Sequence, residues 1–265
     1  MKLHHQLYFD HFEPAPDAQS TVVVIPGLFG SVGNWRSFAK QLSQHVPVVV
    51  VDQRNHGLSP HSDDNSYFDL AGDISELLDD LNISKATICG HSMGGKTAMV
   101  FALTEPDRVD KLIVLDIAPV EYSHSHAPIL EALKNVDLSL VSSRAQVDQQ
   151  LTAGIPDKAT RMFIMLSLAN KNGEFSWRLN VDALYDNLKL IGGFPTAELQ
   201  GSSFGESCLF VKGGNSNYVK EQHRETIEAL FPSVNIQSVK DAGHWLHIDQ
   251  PQQVIGHVLS FLEKE

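Results

Sequence analysis

Two unbroken apolar runs, Thr21-Val22-Val23-Val24-Ile25 and Val48-Val49-Val50-Val51, constrain this chain more than any other feature. A strand with one wet face alternates apolar and polar residues. A run that is apolar at every position needs cover on both faces. Residues 86–89 and 111–115 continue the series. Between the runs lie helix candidates: residues 67–81, with Leu70, Ile74, Leu77, Leu78 and Leu81 at helical spacing, and residues 94–103. Alternation of this kind predicts a mostly parallel sheet with helices on both faces.

The pattern breaks after residue 119. Residues 120–205 hold no β-branched run. Helical spacing appears instead at 127–136, 144–153, 158–169 and 181–190, punctuated by Pro156 and Gly192-Gly193. This stretch is too long for a loop and reads as an all-helical insertion. Strand character resumes at Cys208-Leu209-Phe210-Val211. A helix follows at 219–230, then a strand at 234–239 and a last helix at 254–262. Residues 1–119 and 206–265 are thus expected to build one core, interrupted by an inserted unit at 120–205.

Composition narrows the function classes. The 265 residues carry 20 Lys+Arg against 32 Asp+Glu, a net charge of −12. Such a surface repels phosphate backbones and anionic bilayers, so neither nucleic acid nor membrane is an expected partner. No stretch approaches the roughly 20 apolar residues that span a bilayer. The N-terminal residues carry no apolar segment of secretory type. Cys89 and Cys208 both sit in apolar runs as buried thiols. A reducing, cytoplasmic setting is the resulting expectation.

The chemistry centres on Gly90-His91-Ser92-Met93-Gly94, between a strand and a helix. Chance supplies about 0.1 such pentapeptides in a chain of this size. A strand-to-helix reversal this sharp strains its central residue and lifts the side chain clear of the sheet. Small residues two before and two after avoid neighbouring backbone. The helix N-terminus then faces the Ser92 hydroxyl, where negative charge develops in acyl transfer. A serine needs a base. Of 13 histidines, His244 stands out, because it follows the last strand and can reach the sheet's C-terminal edge. His247 reads as packing, and His4, His5, His124 and His126 as solvated or capping. No grouping has metal-ligand spacing, and no cofactor is expected.

The acid has two possible locations. The loop after Val211, Gly213-Gly214-Asn215-Ser216-Asn217, has no carboxylate. One strand earlier, Ile113-Val114-Leu115 ends in Asp116, which is the expected acid; Asp241 is the remaining candidate. With Asp116 as the acid, Ser216 lies near the same imidazole and can add a hydrogen bond. For the oxyanion, Met93 offers one backbone N–H. The loop Pro26-Gly27-Leu28-Phe29-Gly30 offers the second, from Leu28 or, alternatively, Phe29. Arg54, in Asp52-Gln53-Arg54-Asn55-His56-Gly57-Leu58-Ser59, reads equally as a structural hub or a substrate contact.

Taken together, these motifs resemble the α/β-hydrolase superfamily along nearly the whole chain. Arg54-Asn55-His56-Gly57-x-Ser59 with Gly213-Gly214-Asn215-Ser216 is similar to the group of bacterial YbfF-type esterases. The resemblance implies an α/β-hydrolase fold, with a small helical cap after the family's sixth strand, here 120–205. It also implies an acid at Asp116 and a serine at Ser216. Two departures stand out. The family's His-Gly in the oxyanion loop is Pro26-Gly27, which removes a bracing side chain. The acid after the seventh strand is absent.

The implied activity is hydrolysis of a small-molecule carboxyl ester or thioester, with small to medium acyl groups. Phe29, His91, Trp177 and Trp245 are the pocket candidates. A coenzyme A thioester would draw on Lys158 or Arg161. A carbon–carbon bond hydrolase or a cofactor-free perhydrolase would use the same triad. A ligand-binding protein of this fold with little turnover is the alternative from another class. Oligomeric state is not legible in the sequence.

Overall fold

The computed structural model describes residues 1–8, 20–123 and 126–263. His124 lies outside the described residues. In chain order the elements begin with β1 (His5–Tyr8), β2 (Val22–Ile25), α1 (Val32–Leu42), β3 (Val48–Val51) and α2 (Tyr67–Asp80). Next come β4 (Ala86–His91), α3 (Met93–Thr104) and β5 (Val109–Leu115). The insertion holds α4 (Ala127–Asn135), α5 (Arg144–Leu151), α6 (Lys158–Ile164), β6 (Leu168–Lys171), β7 (Glu174–Trp177), α7 (Val181–Asp186) and α8 (Leu188–Gly192). The chain ends through β8 (Cys208–Gly213), α9 (Arg224–Leu230), β9 (Val234–Val239), α10 (Leu246–Asp249) and α11 (Pro251–Leu262).

Seven strands form one sheet in the order β1-β3-β2-β4-β5-β8-β9. Among the described residues, β1 is the one strand of this sheet that runs antiparallel to its neighbour; the other pairings are parallel. Every residue of β2, β3 and β4 is buried, as an apolar run covered on both faces requires. The two faces feed separate cores. Val23, Ile25, Val49 and Val51 point toward α2, α3 and the insertion. Val22, Val24, Val48 and Val50 point toward α1 and α11, with Trp35 and Phe38 packed edge to face.

The insertion departs from the all-helical expectation. Where one helix was expected over 158–169, α6 stops at Ile164, and β6 and β7 pair antiparallel from Leu168↔Trp177 to Lys171↔Glu174. The turn is Asn172-Gly173, with φ of 55° and 92°. Asn-Gly with both residues left-handed matches the right-handed twist of a two-residue hairpin. The helix expected over 181–190 is broken at Asn187 into α7 and α8. The insertion leaves the sheet after β5.

The Asp52–Ser59 stretch docks the insertion onto the core. Asn180 donates from its backbone to the Asn55 carbonyl at 3.0 Å, and from Nδ2 to Asn55 Oδ1 at 3.1 Å. Arg54 is the structural hub. Its Nε and Nη2 meet the two oxygens of Asp73 at 2.6 and 2.9 Å, and Nη1 donates to the Asp64 carbonyl. All three sites on the guanidinium are committed to protein, so the substrate-contact reading gives way.

Candidate active site

The strand β4 ends at His91 and the helix α3 begins at Met93, leaving Ser92 as the single residue of the reversal. Its φ of 53° and ψ of −121° lie outside the ordinary basins, a strain of about 1–3 kcal/mol held by surrounding contacts. The flanking glycines are required by close approach. A Cβ at Gly90 would lie 2.1 Å from the Gly94 carbonyl oxygen, and one at Gly94 would lie 2.2 Å from that of Ile25. The Ser92 N–H donates to the Leu115 carbonyl at 3.0 Å, tying the turn to β5.

Three side chains from three strand ends meet here. Ser92 Oγ lies 2.9 Å from His244 Nε2, and His244 Nδ1 lies 2.8 Å from Asp116 Oδ2. Asp116 is fully buried, and its carboxylate presents an acceptor to the ring nitrogen it faces. It therefore fixes the proton on Nδ1 and leaves the Nε2 lone pair to take the Ser92 hydroxyl hydrogen. Two further donors hold the carboxylate: the Gly213 N–H at 2.9 Å on Oδ1, and the Ser216 hydroxyl on Oδ2. Ser216 thus touches Asp116 rather than the imidazole directly.

The loop carrying His244 is pinned from two sides. His91 Nε2 lies 2.8 Å from the His244 carbonyl, so that nitrogen carries the proton. Burial, with His244 and His247 nearby, pushes the His91 pKa down and keeps the ring neutral. Asp249 accepts from the Gly243 N–H at 2.8 Å. Tyr218 stacks on the His244 ring at 3.8 Å and 15°, which fixes the imidazole plane. His247 is buried, as its packing assignment anticipates, and stacks on Trp35 at 3.9 Å. His4, assigned to solvent or capping, instead lies 2.8 Å from the buried Asp52 carboxylate.

The loop 26–30 approaches Ser92 so closely that a Cβ on Gly27 would sit 2.9 Å from the Ser92 Cβ. The bracing side chain missing from this loop is supplied by Gln53. Its Nε2 donates to the Pro26 carbonyl at 2.8 Å, and its Oε1 accepts from Thr97 on α3 at 2.8 Å. The loop and α3 are thereby held to each other. Among the described residues, neither the Leu28 N–H nor the Met93 N–H meets a backbone acceptor. Met93 is the first residue of α3, where such donors are free by construction.

Two cavities flank Ser92. The larger, about 170 Å³, is lined by Phe29, Trp35, His91, Phe163, His244 and Trp245 among others. The smaller, about 30 Å³, is lined by Leu28, Tyr67, Met93, Lys96, Tyr122 and Ile191, again beside Ser92. Ile129, Thr160 and Phe163 of the insertion wall the first, and Ile191 and Gly192 the second. Phe163 packs on Trp245 at 5.1 Å across the boundary with the core.

Of the expected pocket residues, Phe29, His91 and Trp245 lie at the site and Trp177 does not. Trp177 ends the β6–β7 hairpin and lines a separate depression with His61, Lys134 and Asp182. The coenzyme A reading loses Arg161. That side chain is buried, bonded to Asp148 at 2.9 Å and to the Ile155 and Pro156 carbonyls. Lys158 is exposed at the start of α6. The sequence reading missed Gln53, Lys96 and Tyr218. Their partners lie dozens of residues away, so no local spacing announces them.

Comparison with known proteins agrees with this architecture. The family model described as the alpha/beta hydrolase fold matches residues 20–251. The sn-1-specific diacylglycerol lipase ABHD11 of Mus musculus is 42% identical over 250 residues, covering 91% of this chain and 80% of that one. Esterase YbfF of Escherichia coli (strain K12) is 36% identical over 244 residues, covering 92% and 93%. A solved marine microorganism esterase superposes with a TM-score of 0.91 at 35% identity, over 98% of this chain and 99% of that one. A sheet of this order, a strained serine at its centre and a family match across most of the sequence lead to one assignment: the chain belongs to the α/β-hydrolase family.

Proposed function

We propose that this protein is a serine hydrolase of carboxylic esters, working through an acyl-enzyme with Ser92 as nucleophile, His244 as base and Asp116 as its orienting acid. The carrying observation is the continuous relay Ser92 Oγ–His244–Asp116 at 2.9 and 2.8 Å. As Ser92 Oγ bonds to the acyl carbon, its proton passes to His244 Nε2. Asp116 stabilises the imidazolium that forms. The Leu28 and Met93 N–H groups are the donors for the tetrahedral oxyanion. His244 then returns the proton to the leaving oxygen as the carbon–oxygen bond breaks. A water, deprotonated by the same nitrogen, attacks the acyl carbon and releases Ser92.

The insertion acts as the cap, since its residues wall both cavities. Oxygen esters are favoured over coenzyme A thioesters because Arg161 is committed within the insertion. Cytoplasmic residence fits the two free, buried cysteines. Burial pushes the Cys89 thiol up to about 12, out of the reactive range.

The test is steady-state hydrolysis of p-nitrophenyl esters of graded acyl length, with wild type beside Ser92→Ala. Turnover that falls by about 10⁴-fold or more in the variant supports the proposal. Turnover surviving in Ser92→Ala, or none from folded wild type on any ester, overturns it.

A further inference from the structure

Lys96 carries a buried amine that the proposed reaction does not use. It lies on α3 four residues after Ser92, one helical turn along, and is 1% exposed. Two of its three N–H donors are taken by main-chain carbonyls at the end of α8, Gly192 at 2.8 Å and Gly193 at 2.5 Å. Among the described residues the ammonium has no carboxylate within 4 Å, and its third N–H has no oxygen acceptor. Its other neighbours are aromatic faces, Tyr122 at 4.9 Å and Tyr67 at 5.8 Å from the ring centroids. Burial lowers its pKa to about 7, against a distant upward pull from Glu121. A buried ammonium is costly unless its donors are met, and this one lines the small cavity beside Ser92.

The two cavities open on either side of Ser92 and give separate room for the two ends of an ester. In the tetrahedral adduct the leaving oxygen faces the group that protonates it, His244. That residue lines the large cavity and not the small one. The leaving group therefore points into the large cavity, and the acyl substituent toward Met93 and Lys96. The small cavity, about 30 Å³, holds about two waters, or two to three heavy atoms. A long acyl chain exceeds this space.

Resting on the reading of Ser92 as nucleophile, we infer that the small cavity is the acyl subsite for a short acyl group with an oxygen acceptor in its outer part, and that Lys96 determines specificity by donating its third N–H to that oxygen. A hydroxyl, ether or keto oxygen serves. The two phenols are otherwise engaged: Tyr67 donates to the Ile191 carbonyl and Tyr122 to that of Tyr218.

The experiment, run at pH 6 where Lys96 is mostly an ammonium, compares p-nitrophenyl methoxyacetate with p-nitrophenyl butyrate, which differ by one ether oxygen in place of a methylene. Each kcat/KM is divided by the rate constant for hydroxide hydrolysis of the same ester, which removes the inductive effect of the oxygen. Wild type should favour the methoxyacetate by about 10-fold after this correction, and Lys96→Met should bring the ratio near unity. The octanoate should fall at least about 10-fold below the butyrate. A corrected wild-type ratio near unity, an unchanged ratio in Lys96→Met, or octanoate turnover equal to butyrate overturns the inference while Ser92-dependent hydrolysis stands. Absence of turnover on all three esters overturns the hydrolase reading, and this one with it. Should Lys96→Met not fold, the corrected wild-type ratio and the octanoate comparison decide alone.

Discussion

Three donors converge on the carboxylate of Asp116: the Gly213 N–H, the Ser216 hydroxyl and His244 Nδ1. A fully buried carboxylate held this way is fixed in place. In Asp116→Asn the shape survives but the acceptor pair does not. The amide presents a donor as well, and His244 loses both its tautomer control and the charge that balances imidazolium. We expect kcat to fall by about 10³–10⁴-fold with the circular-dichroism melt nearly unchanged; turnover within a few fold of wild type would remove Asp116 from the relay. Ser92 and Asp116 were legible as candidates because each directly follows an apolar strand, β4 or β5, and His244 because it lies in the loop after β9; a parallel sheet collects functional groups at these ends. Tyr218, Gln53 and Lys96 were not. Tyr218 acts through a stacked ring, Gln53 through a carbonyl 27 residues away, and Lys96 through carbonyls 96 and 97 residues away.

At the scale of elements, the site depends on how tightly α3 is pressed into the sheet. Every residue from Met93 to Leu103 on that helix is buried. The clash foreseen at Gly94 is with main-chain oxygens of Ile25 and Pro26, which no rotamer change relieves. Gly94→Ala should therefore cost at least about 3 kcal/mol, at the upper end for overpacking, read from urea unfolding. A loss under about 1 kcal/mol would show that β2 can move away from the helix and that the turn is looser than described. The runs that built this sheet were readable because burial on both faces leaves no polar position. The β6–β7 hairpin was missed for the converse reason. It lies at the surface with short, mixed strands, and its one sharp signal is the Asn172-Gly173 pair. Helical spacing before it carried the expected helix past its true end at Ile164.

Across the whole molecule, folding takes neutral imidazoles out of water beneath the active site. His247 is buried against Trp35 with neither ring nitrogen hydrogen-bonded. Its pKa falls to about 3 through burial, with His244 adding repulsion. His91, buried beside it, is lowered too. The folded state then binds fewer protons than the unfolded chain between the two pKa values, so stability rises with pH across that window. The contribution is complete above the unfolded value near 6.5 and is lost as pH falls toward 3. At pH 5 the His247 deficit alone is about 2 kcal/mol, before most carboxylates have begun to protonate. His247→Phe keeps an aromatic ring against Trp35 and removes the titration. Its unfolding free energy should therefore change less between pH 8 and pH 5 than that of wild type, by about 2 kcal/mol. The measurement is a urea series at both pH values for the two proteins. Equal acid losses would mean that His247 is protonated without cost, and that the imidazole cluster under Ser92 is open to water rather than sealed by Trp35.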